Sequence, residues 1–141
     1  MDSAEKSEVR ELLEFRDDTA GGMMNTEYVA LHDNAVVNDA LAALRGSEDL
    51  LEGLNSLFLI DEDGTLTAAV PLARVLIADP GTRLKELATD TLIQVTVAEK
   101  EDRVTETFDK YNLLTLPVVD EDGKLAGVIT ADDIISVLRS R

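Results

Sequence analysis

The tetrapeptide Asp-Glu-Asp-Gly occurs twice, at Asp61–Gly64 and Asp120–Gly123, an offset of 59 residues. That spacing constrains the fold more than any other feature. With one copy laid on the other, Ser56–Leu76 (SLFLIDEDGTLTAAVPLARVL) falls over Thr115–Ile135 (TLPVVDEDGKLAGVITADDII). Both read as an apolar run, an acidic turn closed by Gly, a second apolar run and the start of a helix. Upstream, Asn34–Leu44 lies over Glu101–Tyr111 at an offset of 67. Between the blocks the first half carries Arg45–Asn55 where the second has only Asn112–Leu114. Two blocks in the same order, with a length change between them, mark a duplicated unit.

Each unit predicts the order β-α-β-β-α. The first strand falls in Glu27–Asp33 or Leu92–Glu99, where Ile93, Val95 and Val97 alternate as on a half-buried strand. An amphipathic helix follows, with Val37, Leu41 and Leu44 on one face in the first half and Val104, Phe108 and Tyr111 in the second. LFLI or LPVV then forms a buried strand, LTAAV or LAGVI returns antiparallel, and PLARVLI or ADDIISVLR closes the unit as a helix. The expected class is α+β or α/β. One unit cannot cover both faces of its small sheet, so the halves are expected to pack on each other with pseudo-two-fold symmetry. Hydrophobic residues make up 45% of 141, enough for such a shared core.

The repeated carboxylates look like metal ligands, but the turn reading is stronger. Asp-Gly between two apolar runs is a hairpin signal, since Asp bonds locally and Gly accepts positive φ. A calcium loop would need a further acidic ligand ahead of the motif, and Ile60 and Val119 stand at the preceding positions.

The net charge of −16 argues against nucleic acid or direct membrane association, which need basic patches. It suits divalent cations. Cysteine is absent, so disulfides, thiolate metal sites and thiol nucleophiles are excluded. The opening MDSAEKSEVRELLEF is charged throughout and does not read as a signal peptide, and no apolar run approaches the ~20 residues of a membrane span. His32 is a lone imidazole at a strand end. No nucleophile–base pair and no phosphate-binding glycine loop is present, so no enzyme is expected. Met23 and Met24 read as packing residues.

The double unit, and LPVVDEDGKLAGVITADDI in particular, resembles a pair of CBS domains, a Bateman module, over about Tyr28–Leu138. DDTAGGMMNTEYVAL (Asp17–Leu31) is similar to the junction that leads into the first CBS unit of MgtE-type magnesium transporters. IADPGTRLKEL (Ile77–Leu87) is similar to the linker between that family's units. The resemblance implies three parts: residues 1–22 as the end of an N-terminal helical domain and the junction, 23–88 as the first unit, and 89–141 as the second. Val9, Leu12 and Leu13 would share a face of the first part. It further implies a Mg²⁺-sensing regulatory module on the cytoplasmic side of the cell membrane. Such a module gates a transmembrane domain, works with the N-terminal helical domain and forms a homodimer through its CBS helices.

The same resemblance implies sites. CBS units often hold adenine nucleotides on G-h-x-[ST]-x-x-D, and Gly127–Asp133 fits: Thr130 would serve phosphate and Asp133 the ribose, with Gly127 and Pro117 completing the candidate set. Without a nucleotide, Thr130 would cap the closing helix and Asp133 would stabilise its first turn. The first unit departs, with Ala68, Pro71 and Arg74 in place of Gly, Thr and Asp. Arg74 would then face phosphate or an acidic neighbour. For Mg²⁺ the implied ligands are Asp17 and Asp18 at the junction and Asp132 and Asp133 on the closing helix. Other acidic positions of the family are replaced by Asn112, Lys100 and Ser136. An AMP- or ATP-sensing module of another protein is the alternative reading.

Overall fold

The computed structural model describes residues 18–50 and 53–139. Val9, Leu12, Leu13 and Asp17 lie outside the described residues. In chain order the main elements are helix α1 (Ala20–Met23), β1 (Ala30–His32), α2 (Val37–Arg45), β2 (Ser56–Ile60), β3 (Leu66–Pro71) and α3 (Leu72–Ile77). The second unit follows with β4 (Val95–Thr96), α4 (Glu101–Tyr111), β5 (Thr115–Val119), β6 (Leu125–Thr130) and α5 (Ala131–Arg139). Short 3₁₀ turns cover Glu48–Leu50 and Leu84–Leu87.

The strands form two three-stranded sheets, ordered β1-β2-β3 and β4-β5-β6. In each the central strand pairs parallel with the first and antiparallel with the third. A central strand is covered on both faces, which is why LFL of β2 and LPVV of β5 are buried without alternation. The fold is the expected mixed α/β pair of β-α-β-β-α units. Both hairpins carry a register irregularity at the same place, between Leu59 and Ile60 and between Val118 and Val119.

The acidic turns are hairpin turns. Asp61 Oδ1 accepts from the amides of Asp63 (2.9 Å) and Thr65 (3.0 Å); Asp120 Oδ1 accepts from Asp122 (2.9 Å) and Lys124 (3.0 Å). Gly64 and Gly123 take φ of +87° and +83°, where a side chain would be strained. The two tips also pair with each other. The Leu66 amide donates to Gly123 O (3.1 Å) and the Leu125 amide to Gly64 O (3.2 Å). Beside them Phe58, Leu66, Val119 and Val128 form a buried cluster drawn from both units.

The helix registers differ from the sequence alignment. Ahead of the hairpins the units correspond at an offset of 64, not 67. The Val37 amide bonds Thr82 O as Glu101 bonds Asp18 O, and Leu84 bonds Ala35 O as Ala20 bonds Glu99 O. Val37 therefore corresponds to the buried Glu101, and Ala40 to Val104. A three-residue slip rotates a helix by about 300°, so the apolar faces still matched. The slip explains why Tyr111, expected on the core face, is 46% exposed while Leu113 packs against the core. Asn112 ends α4 at φ +51°, a left-handed cap that Asn tolerates.

At the same offset of 64, Ala20–Met23 corresponds to Leu84–Leu87. Ala20 and Met23 are buried in the core of the second unit, and Leu84 in that of the first. Each unit's core is completed by the segment that leads into the other unit. The two entry segments thus tie the halves together crosswise.

Candidate functional site

The site is built where the first entry segment crosses the end of β6. Asn25 and Val128 exchange backbone hydrogen bonds of 2.8 and 2.9 Å. This close approach requires Gly127. A Cβ there would stand 2.7 Å from Asn25 O and 2.7 Å from Met24 Sδ. One residue past β6, the chain starts α5 with a reciprocal cap. The Asp133 amide donates to Thr130 Oγ1 (3.2 Å), and Asp133 Oδ2 accepts from the Thr130 amide (2.8 Å). The same oxygen accepts from Asn25 Nδ2 at 2.9 Å, while Asn25 Oδ1 accepts from the Glu27 amide at 2.8 Å.

These groups border an open cleft of about 420 Å³, to which Asn25, Glu27, Asp49, Thr130, Asp132 and Asp133 contribute. A narrower apolar hollow adjoins it through Glu27 and Thr130 and is walled by Tyr28, Leu54, Phe58 and Val128. Four carboxylates line the cleft, and among the described residues no Lys or Arg does. The N-terminus of α5 behind Thr130 turns a positive end toward the cleft.

Of the nucleotide candidates, Thr130 and Asp133 reach the cleft. Gly127 is covered by Met24 and Asn25, and Pro117 is buried in β5 opposite Val128. Of the metal candidates, Asp132 and Asp133 share the first turn of α5, Asp132 exposed and Asp133 half-buried. Asp18 stands instead at the start of α4, its carbonyl accepting from the Glu101 amide at 2.8 Å. Asp17 is outside the described residues. Among the described residues no three His, Cys, Asp or Glu side chains are gathered tightly enough to cage a metal ion. Sequence reasoning missed Asn25, Glu27 and Asp49; only the tertiary fold brings their two segments to the cleft beside Thr130 and Asp133.

The equivalent place in the first unit is built differently. Arg74 reaches the chain that enters the second unit: its Nη1 donates to the carbonyls of Leu87 (3.1 Å) and Ala88 (3.0 Å). A second cleft, of about 390 Å³, runs along α4 past Arg103, Lys110 and Tyr111 and contains none of the candidate residues.

Two crosswise-tied β-α-β-β-α units with a cleft at the end of the last strand define a CBS-domain pair, and residues 75–140 match the CBS domain family. Over nearly its whole length the chain is homologous to part of MgtE-type magnesium transporters. It is 33% identical over 140 residues to the magnesium transporter MgtE of Thermus thermophilus, covering 99% of this chain and 31% of that protein. It superposes with a TM-score of 0.85 on the soluble part of a magnesium transporter (31% identity, 99% of this chain, 55% of that one). It superposes equally, at 0.85, on the cytosolic domain of the Mg²⁺ channel MgtE in complex with ATP (33% identity, 96% of this chain, 55% of that one). The chain spans about a third of the length of the curated relatives it matches. Among the described residues no helix is long and apolar enough to cross a membrane.

Proposed function

We propose that this CBS pair is a non-catalytic Mg²⁺ sensor that regulates a magnesium transporter or channel from the cytoplasmic side of the membrane. The observation that carries this reading is the cleft of Glu27, Asp49, Asp132 and Asp133, bare of basic side chains among the described residues. Mg²⁺ takes oxygen ligands, keeps several waters and often binds through only one or two carboxylates. A weak site of that kind fills at millimolar ion and does not need a tight cage. An ion held between this cleft, or Asp18, and a second acidic surface of the parent protein would favour whichever arrangement brings the two together. The transmembrane domain, the N-terminal helical domain and a second copy through the CBS helices are the proposed partners. The homology to MgtE over 99% of the chain supports the assignment.

The test is thermal unfolding with MgCl₂ against NaCl of matched ionic strength. A bound ion at 100 times its Kd stabilises by ~2.7 kcal/mol. A rise in Tm beyond the NaCl control is expected, and no such rise sinks the reading. Adenine-nucleotide sensing is the second reading. It is favoured by Thr130 and Asp133 in the cleft and by the ATP bound to the MgtE cytosolic domain described above. Against it, the phosphates would enter a cleft with four carboxylates and no described cation. A Tm shift with ATP or AMP and none with Mg²⁺ would select it.

A further inference from the structure

The turn that leads from β1 into α2 sets two partners of opposite kind on one atom. His32 Nδ1 accepts from the Asn34 amide at 3.1 Å, and Asp33 Oδ1 stands 3.2 Å from the same nitrogen. The first contact needs a bare lone pair on Nδ1 and the second needs a proton there, so the two exclude each other. Among the described residues no backbone carbonyl takes the Asn34 amide. The turn is anchored on both sides. The Asp33 amide donates to Ile60 O (2.9 Å), and the Ala35 carbonyl accepts from the amide of Leu84 (3.0 Å), on the segment that enters the second unit. The ring borders a hollow of about 200 Å³. The charged groups that share it are Asp33 of the same turn and Asp61, Glu62 and Asp63 of the β2–β3 hairpin, and among the described residues no Lys or Arg lines it.

Imidazole is the side chain whose charge changes in the physiological range, between about pH 5 and 8. We propose that the His32–Ala35 turn is a proton-operated switch in which His32 exchanges the Asn34 amide for the Asp33 carboxylate. In the basic form the ring carries its proton on Nε2, and Nδ1 holds the Asn34 amide. In the acid form Nδ1–H donates to Asp33 Oδ1, and the Asn34 amide turns to water. The added proton enters a hollow of four carboxylates, so it cancels one negative charge on that face and draws Asp33 onto the ring. The side chains of His32 and Asp33 are 42% and 34% exposed, so the exchange needs no opening of the core. The bonds to Ile60 and Leu84 involve neither Nδ1 nor the Asn34 amide, which confines the change to residues 32–34. This switch goes beyond the cation reading and does not depend on it, since His32 and Asp33 stand outside the cleft beside Thr130.

The experiment uses the whole chain and follows the ring nitrogens of His32 and the Asn34 amide by NMR as the pH is lowered from about 8 to 5. At the basic end the ring nitrogens should report the Nε2–H form. As the ring charges, the Asn34 amide proton should shift with the same midpoint, because its acceptor is lost. His32→Gln has no titrating group and should abolish that shift over this range. In acid, the Nδ1 proton should exchange with water more slowly in the unaltered chain than in Asp33→Ala, where the carboxylate is gone. An Nδ1–H form at the basic end overturns the switch, as does an Asn34 amide that stays still while the ring titrates. A shift that persists in His32→Gln belongs to the neighbouring carboxylates and overturns it as well. Equal exchange of the Nδ1 proton with and without Asp33 removes the acid-form partner, and with it the proposal.

Discussion

Arg74 and Asp133 stand at the same position of the two units, 59 residues apart, and each ties down the chain that enters the other unit. Asp133 accepts from Asn25 ahead of the first unit, and Arg74 donates to Leu87 and Ala88 ahead of the second. Asn25 and Thr89 are themselves equivalent, since Asn25 bonds Val128 O as Thr89 bonds Ala69 O. The task is common to both halves and the charge is reversed. A guanidinium that reaches two carbonyls leaves the first unit with no carboxylate for a ribose.

Any adenine nucleotide should therefore depend on Asp133 and not on Arg74. Loss of a hydrogen bond to a charged group predicts roughly ten-fold weaker binding or more for Asp133→Ala, and a change within two-fold is expected for Arg74→Ala. Titration calorimetry with ATP and AMP checks both. The reverse ranking would move the site to the first unit.

The Thr130–Asp133 cap holds the start of α5. Thr130→Ala should cost ~1 kcal/mol, the usual loss for an N-cap, read as a Tm drop of about 2–4 °C for a chain of this size. Asp133→Ala removes the cap and the hydrogen bond from Asn25 together, so it should cost more. The double variant should cost less than the sum, because the two side chains share one reciprocal pair. Additivity would show that the cap bonds do not act as a unit.

Gly127 belongs to a sequence pattern associated with nucleotides, yet here its role is to let the junction approach β6. Gly127→Ala should destabilise by about 1–3 kcal/mol, the range for overpacking. Adding Met24→Ala should recover only part of that loss, because Asn25 O is backbone and stands as close as the Met24 sulfur. Urea unfolding of the two variants against the unaltered chain measures this. Full recovery would mean that the junction backbone shifts freely.

The strands, the hairpins and the closing helices were legible because β-period and turn chemistry are local. The offset of 59 held throughout both hairpins for the same reason. The helix register was not legible. Val37/Leu41/Leu44 and Val104/Phe108/Tyr111 match equally well after a slip of three residues, since helix faces nearly repeat at that interval. Only hydrogen bonds such as Glu101 N to Asp18 O fix the offset of 64. With that slip went the equivalence of AGGM and LKEL, which share almost no side-chain chemistry. At the site, Thr130 and Asp133 could be read from a contiguous motif. Asn25 and Glu27 come from one segment and Asp49 from another, both remote in sequence from that motif, and gave no linear signal.

The paired hairpin tips yield the sharpest test of how the units are joined. Gly64 and Gly123 each do two things: they hold a positive φ, and they offer a carbonyl to a Leu of the other unit. Neither has a close neighbour at the Cβ position, the nearest atom being Thr65 Cγ2 at 3.6 Å from Gly123. Backbone strain alone therefore sets the cost, and Gly64→Ala and Gly123→Ala should each lose ~1 kcal/mol. Asn tolerates this region better than Ala, so Gly64→Asn and Gly123→Asn should be milder than the alanine variants. Because the tips bond each other, the double alanine variant should deviate from additivity by about 0.5 kcal/mol or more. Urea unfolding followed by circular dichroism reads all five chains. Strict additivity would mean that the Leu66–Gly123 and Leu125–Gly64 bonds do not couple the two tips.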